Sequence, residues 1–294
     1  MIAGQRRADP TRTKTARRRF AQHLRSRWNA IKYHVNRGIV DNDALGLRGP
    51  DVGGTLEAQS GDLDREFEAH VDTNDDLTPG AGQFDFPRDA DKAEAFEDWL
   101  NEATDDEILE DYNGDRFVRK GYGQGVKHAD SQLQDIDVDA PDQDIATTLQ
   151  LPVHEDKLEL LYTRTFEELE GVTDAASQEI RRELTEGLSQ GKHPRDIARN
   201  INDRVEKVGK TRSTVLARTE VIRAHSEGSL DRYGSIAGDL DLTVKAELQT
   251  AGDSRVCERC AALEGRVYTV QEARGIIPVH PQCRCSWMPA PGSS

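Results

Sequence analysis

Hydrophobic positions recur at helical spacing near the start of the chain and again through its second half, and alternate only near its end. From Thr13 onward, Phe20, Leu24, Trp28, Ile31 and Val35 fall three or four residues apart, the spacing of one apolar stripe on a helix. Asp89 is placed to cap a helix through Ala93, Phe96, Trp99 and Leu100, and Thr104 opens a further acidic turn leading into Ile108 and Leu109. Phe117 to Leu133 reads as another helix, loosened by Gly121, Gly123 and Gly125. Four more helices are expected between His154 and Tyr233. Leu158, Leu161, Phe166 and Leu169 mark the first. Thr173 or Asp174 caps the second, which carries Ile180, Leu184 and Leu188 and stops at Gly191. Pro194 opens the third, with Ile197, Ile201 and Val205 on one face. The fourth runs from Lys210 to Tyr233, with Val215, Thr219, Ile222, Ser226 and Leu230 inward. The period then drops to two: Leu242 to Leu248 and Arg266 to Val270 read as strands. A short helix from Cys260 to Leu263, stopped by Gly265, lies between them. The expected fold class is α+β and predominantly helical, a helical block followed by a small Cys-rich antiparallel β module, behind an extended acidic N-terminal half.

Charge divides the chain more sharply than hydropathy does. Residues 1–37 hold eleven Lys and Arg against the single acid Asp9, whereas residues 38–160 hold 33 acids against 9 bases. Gly46, Gly49-Pro50, Gly53-Gly54, Gly61, Pro79-Gly80, Gly82 and Pro87 punctuate the acidic stretch, which therefore reads as an extended linker with room for one short helix at Asp62 to Val71. The expected organisation is a basic amphipathic helix or arm at 1–37, an acidic Gly/Pro-rich linker at 38–87, an acidic helical segment at 88–150, a helical block at 151–238, the Cys-rich β module at 239–289 and a tail at 290–294. Asp135 to Asp144 is read as an acidic loop within this plan.

With 35% hydrophobic and 32% charged residues, the chain cannot be densely packed along its whole length. No apolar run reaches the ~18 residues of a membrane span, and the basic start is not followed by the apolar segment of a secretory signal. The net charge is −15, with 29 Arg to 10 Lys and 31 Asp to 23 Glu. Low Lys and high Asp suit a protein kept hydrated in strong salt, where screening relieves the self-repulsion of a large net charge.

Two groups of side chains carry candidate chemistry. Arg12, Arg17, Arg18, Arg19, Arg25 and Arg27 flank the apolar stripe of the first helix. They are candidates for contact with nucleic acid, an acidic partner protein or a membrane surface. The competing reading packs the stripe into the chain's own core and leaves the arginines to solvent or to its own acids. The second group is the cysteines: Cys257 and Cys260 as C-x2-C, and Cys283 and Cys285 as C-x-C with His280 three residues before them. Zinc takes four such ligands in a tetrahedron. Four of these five residues would hold it: Cys257, Cys260, Cys285 and either His280 or Cys283, with C-x-C tight enough to favour His280. A shell so filled has no open position, so the metal would be a structural staple. Two disulfides, or four plain thiols, are the alternatives.

The same stretch carries a family resemblance. Asp253-Ser254-Arg255-Val256-Cys257 with Cys260, then Leu263-Glu264-Gly265-Arg266-Val267-Tyr268, then His280-Pro281 ahead of Cys283-Arg284-Cys285, resembles the C-terminal module of the Mu F-like minor head proteins of phages, which include the SPP1 type. Ala217-Arg218-Thr219-Glu220-Val221, followed by Arg223-Ala224, resembles the helix that precedes that module. The resemblance spans roughly residues 150 to 289 and is loose upstream. It implies a structural, non-enzymatic minor capsid protein of a tailed virus. Such a protein sits in the virion head near the portal vertex, in multiple copies, and is found in the host cytoplasm during assembly. Portal protein and major capsid protein are the implied partners, the packaged DNA a further one through the basic helix, and no membrane is involved. The implied roles are head assembly and genome packaging or delivery. Together with the charge pattern it suggests a haloarchaeal tailed virus.

The alternative is a zinc-dependent nuclease or other DNA-processing enzyme carried in the virion. It would need an open metal position and a second acid–base cluster, for which only Glu220 and His225 offer themselves; they are five residues apart and share no helix face. A DNA-binding zinc module is disfavoured because residues 243–289 alone are not strongly basic. The chain has no P-loop, no G-x-S-x-G and no H-E-x-x-H.

Overall fold

The structure, a computed structural model, describes residues 9–41, 92–110, 112–136, 138 and 149–291. Residues 42–87 of the linker expected at 38–87, the short helix at 62–71, the Asp89 cap and most of the loop after Asp135 lie outside the described residues, whereas residues 38–41 of that linker are part of a helical turn with Gly38 and Ile39 buried. Five long helices are described: α1 (Lys14–Val35), α2 (Lys92–Leu109), α3 (Asp115–Gln134), α4 (Pro152–Ser189) and α5 (Pro194–Asp239). A π-helical turn, Asn36–Asp41, follows α1. The rest is β1 (Val244–Gln249), α6 (Glu258–Ala261), β2 (Val267–Thr269), α7 (Val270–Ala273) and β3 (Ser286–Pro291). The fold is α+β and mostly helical, as expected.

Two pairs of helices expected from sequence are single rods. α4 runs unbroken for 38 residues and α5 for 46. Thr173 does not cap a new helix: its hydroxyl donates to the Leu169 carbonyl at 3.0 Å, as Thr165 does to Leu161 at 2.7 Å. A β-hydroxyl can satisfy itself this way in mid-helix, so a Thr signals a cap only where the helix stops for other reasons. Thr104 does the same inside α2, donating to Leu100 at 2.6 Å. Gly191, by contrast, does end a helix. Its φ is +62°, and the N–H groups of Gly191 and Lys192 reach the Leu188 and Gly187 carbonyls, the pairing that closes a helix on a left-handed residue.

The chain divides into two units: residues 1–29, 105–176 and 206–294, and residues 30–104 and 177–205. In the second, Ile31, Val35, Ile39, Phe96, Leu100, Ile180, Leu184, Ile197, Ile201 and Val205 are buried. Gly187 lies so close to Ile197 that a Cβ there would come within 2.7 Å of Cγ1. Asn202 donates to the Asn36 side chain at 2.8 Å.

The first unit is built around α5, whose residues from Glu220 to Leu230 are nearly all buried. Phe20, Leu24 and Trp28 of α1 are at most 2% exposed, and Phe20 stacks on Phe117 of α3 with centroids 5.1 Å apart. Trp28 fills the space over Gly209, where a Cβ would meet its indole at 2.6 Å. The N-terminal stripe is therefore spent on the chain's own core. The glycines of α3 do not loosen that helix either. Gly121 faces Val221, and Gly125 and Gly228 let α3 and α5 touch backbone to backbone, a Cβ at either coming within 2.1–2.3 Å of a carbonyl oxygen on the other helix. Ser229 seals the contact by donating to the Gly125 and His225 carbonyls.

Beside this contact the His128 and His225 rings lie 5.3 Å apart, with His225 1% exposed. Burial, more than the neighbouring charges of Arg12 and Arg17, pushes their pKa values down to about 4 and about 3. Both rings are neutral in the folded state, whereas in the unfolded chain they protonate near pH 6.5. Stability is therefore full above that value and falls as pH drops from about 6.5 towards 4. At pH 5 the loss is about 2 kcal/mol for each ring that stays neutral. Urea unfolding at pH 7 and pH 5 measures it, and His128→Gln should shrink the difference.

The three strands form an antiparallel sheet in the order β2-β1-β3. β3 corrects the expectation that the chain ends in a tail: Ser286 to Pro291 pair with the whole of β1, from Gln249 back to Val244. Its prolines hid it, yet an edge strand tolerates residues that cannot donate to the ladder. β1 and β2 match the expected strands, β1 starting two residues later and ending one later, and β2 one residue shorter at each end.

The module does not stand alone. Ala246, Leu248, Trp287 and the buried cysteines share one apolar cluster with Ala129 and Leu133 of α3 and Leu230, Tyr233 and Ile236 of α5. Trp287 donates its indole N–H to Ser226 at 2.8 Å, and its carbonyl accepts from Gln132 at 3.0 Å. A polar latch holds a second edge. Arg274 reaches Glu227 at 2.8 Å and Asp231 at 2.6 Å, Asp231 accepts from Tyr122 at 2.7 Å, and the phenol, its proton so committed, accepts from His154 at 2.6 Å.

Candidate metal centre

The turn after β1 positions the first ligand pair. Asp253 accepts from the Arg255 N–H at 3.0 Å, a side-chain-closed turn that delivers Cys257 to the N-cap of α6. There the Cys257 sulfur accepts from the Cys260 N–H at 3.5 Å, so the C-x2-C spacing is that of a cap and the residue three places on. α6 is one residue pair ahead of the helix expected at 260–263, for this reason. Gly265, at φ +74°, takes the chain out of the turn.

The second pair arrives through a clamp. Arg284, between Cys283 and Cys285, donates two hydrogen bonds of 2.5 Å to the two carboxylate oxygens of Asp253. Paired with Arg284 first and Arg255 second, the Asp253 carboxyl is held well below its ordinary range. This fork fixes the C-x-C loop against the C-x2-C turn.

All five expected ligands come together. His280 Nε2 lies 3.3 Å from the Cys257 sulfur and 3.2 Å from the Cys260 sulfur. The ligand atoms of Cys257, Cys260 and His280 lie within 4.8 Å of one another, and so do those of Cys260, Cys283 and Cys285. Cys260 belongs to both groups. The other ring nitrogen of His280, Nδ1, is 2.7 Å from the Pro281 carbonyl. A carbonyl only accepts, so Nδ1 carries the proton and the Nε2 lone pair faces the sulfurs, the tautomer a metal requires.

The four cysteines are free thiols. They compete for charge. Hydrogen bonding from Cys285 pulls Cys283 down to about 5, and backbone N–H donation from Cys260 lowers Cys257. Burial, then the charge of Cys283, pushes Cys260 up to about 12, and the hydrogen bond with Cys283, then burial, raises Cys285. A divalent cation at their centre would relieve this conflict, because each thiolate would then face positive charge. The donor set, the spacing and the imidazole tautomer all fit a metal ion.

The N-terminal arginines behave differently from one another. Arg17 is buried and paired with Asp9. Arg25 donates to Thr214 at 2.6 Å, and Arg27 to the carbonyls of Ile108 and Glu110. Arg12, Arg18 and Arg19 are exposed. Of the candidate acid–base pair, Glu220 is 2% exposed and ion-paired with Arg223 at 3.3 Å and Arg164 at 3.7 Å, while His225 packs on His128. They serve different neighbourhoods. No described helix is long and apolar enough to cross a membrane.

Residues 178–288 match the model of the family described as Phage Mu protein F like protein. The matched stretch contains the last third of α4, all of α5 and all five candidate ligands, and it supports a phage head morphogenesis family. The comparisons with curated proteins and with solved structures return no match.

Proposed function

We propose that this chain is a structural minor head protein of a tailed virus, placed near the portal vertex, acting in head assembly and in packaging or delivery of the genome. The observation that carries the reading is the family match over residues 178–288, which takes in all five candidate ligands and the Asp253–Arg284 clamp. Zinc is the metal that this donor set suits best, since thiolates and imidazole in a closed four-ligand shell are its structural chemistry. Cys257, Cys260, Cys285 and either His280 or Cys283 hold it. Its part is to pin the two loops of the module, while Trp287 and its neighbours hold the sheet on α3 and α5. The portal and major capsid proteins are the partners, with several copies of this chain around the vertex. The exposed Arg12, Arg18 and Arg19 offer positive charge to a partner or to DNA. The excess of Arg over Lys and of Asp over Glu supports a haloarchaeal host. Peptide mass spectrometry of gradient-purified virions and of empty proheads tests the reading. The chain should appear in both at a small fraction of the major capsid protein's abundance; absence from both would sink it.

A further inference from the structure

Arginines gather where α1, α5 and the C-x-C loop meet. Residue 25 of α1 meets residue 214 of α5, and Trp28 meets Gly209, so the two helices run antiparallel and Arg17 falls close to Val221. Arg218 and His225 are then one turn away on either side. Arg218 donates to the Gln282 side chain at 3.5 Å, and the Gln282 N–H donates to Thr219 at 3.3 Å, which seats the C-x-C loop on the same turn of α5. Arg284 is two residues further on, and Arg255 shares Asp253 with it.

Four guanidiniums from four separate chain segments thus face two carboxylates, those of Asp9 and Asp253. A metal held by three thiolates and an imidazole would add one net negative charge and still leave the site positive. Burial, then Arg218 and Arg284, pull the Arg17 pKa down to about 10, and burial, then Arg284 and Arg255, lower that of Arg218. Arg17 is only 9% exposed, yet its Nε has no hydrogen-bond partner, and neither does the buried Nε of Arg218. Buried N–H groups of a cation left without an acceptor call for an oxyanion. The site is open on one side, where Gln282 is exposed and the Arg255 side chain is 77% exposed.

We propose that Arg17, Arg218, Arg284 and Arg255 form a phosphate-binding cradle whose ligand is the phosphodiester backbone of nucleic acid. A planar guanidinium offers paired donors to phosphate oxygens, and here one sits at the floor and others at the rim. The phosphate chemistry stands on the geometry alone; the choice of nucleic acid over a free anion rests on the virion reading. The cradle was invisible in a charge count over the cysteine module because half of it comes from α1 and α5.

The test uses the full chain loaded with zinc, a fluorescein-labelled DNA duplex and a series of salt concentrations. Arg218→Gln with Arg255→Gln should weaken binding at least tenfold at about 0.1 M salt and reduce the slope of log K against log salt by about two. A control pair, Lys207→Gln with Lys210→Gln, removes equal charge from exposed positions of α5 and should leave the slope unchanged. Equal effects from both pairs would mean nonspecific attraction and would overturn the cradle. Arg255→Gln alone, at an exposed position, gives the same answer at half the slope change if the double variant folds poorly. Millimolar sodium phosphate forms a second arm. Thermal stabilisation of the wild type but not of the double variant, without duplex binding, would overturn nucleic acid as the ligand and keep the cradle. Neither response would overturn both. Virion content is unaffected by any of these outcomes, so the two readings fail separately.

Discussion

Replacing Cys260 with Ser should empty the metal site: zinc content falls from about one per chain to less than a tenth, and stability drops by on the order of 5 kcal/mol. Cys260 is the position to change because it belongs to both ligand groups, one with Cys257 and His280, the other with Cys283 and Cys285. Both proposed ligand sets contain it and lose their tetrahedron with it. The expected loss is smaller than the ~10–16 kcal/mol by which zinc holds isolated finger peptides, because those have no other core. Here Trp287 is fully buried in a cluster that includes residues of α3 and α5, and that packing survives the substitution. Elemental analysis and urea unfolding followed by tryptophan fluorescence measure the two effects, and chelation of the wild type should reproduce them. Cys283→Ser and His280→Gln then separate the two candidates for the fourth position, since the variant of the residue outside the shell should retain zinc. A wild-type chain that carries no metal, and is no more stable than C260S, would remove the staple altogether.

Metal release should also follow pH, since acid competes for the thiolates and for His280 Nε2. That loss and the acid sensitivity of the His128–His225 pair run in the same direction. They are told apart by repeating the pH comparison on chelated protein, where only the histidine contribution is left.

What could be read from sequence divides along the distance over which each feature is determined. The stripe from Phe20 to Val35 was legible because it is a property of one helix, and all five of its residues are at most 2% exposed. What that stripe packs against was not legible: a buried stripe and a docking stripe have the same spacing, and only Phe117 and Gly209 decide between them. The five candidate ligands were legible because two short-spaced pairs and a nearby His announce themselves. The Asp253–Arg284 clamp that brings them together was not, since it joins residues 31 apart. Helix ends failed where a local signal had two uses. Thr173 and Thr104 cap in some settings and bond back within the helix in others. β3 failed because Pro289 and Pro291 speak against a strand, and only the sheet order shows that it lies at an edge.

Gly125→Ala is the substitution outside the metal site with the largest expected cost, and it tests the reversal of the first reading of that glycine. As a residue that loosens a helix, Gly125 would become more stable as Ala, by up to about 1 kcal/mol of helix propensity. As a residue that lets two backbones touch, it cannot accept a Cβ. The new methyl would lie 2.1 Å from the His225 carbonyl oxygen and 2.9 Å from its carbon, and neither is a flexible side-chain end that could swing away. α3 and α5 would have to separate by about an ångström or more. That movement would pull Ser229 from the Gly125 carbonyl, now 3.0 Å away, and open packing around the fully buried Tyr122 and Ala129. Overpacking usually costs ~1–3 kcal/mol, and a clash with backbone belongs at or above the top of that range. The expected result is a loss of about 3 kcal/mol or more in urea unfolding. Gly228→Ala, which would meet the Tyr122 carbonyl at 2.3 Å from the other side, should cost about the same. Because both substitutions force the same separation, the double variant should lose much less than the sum of the two. Gly171→Ala is the control: it lies within α4 with nothing inside 4 Å of its added Cβ, so there the propensity gain should appear alone. A Gly125→Ala chain as stable as the wild type would show that the two helices do not meet at these glycines.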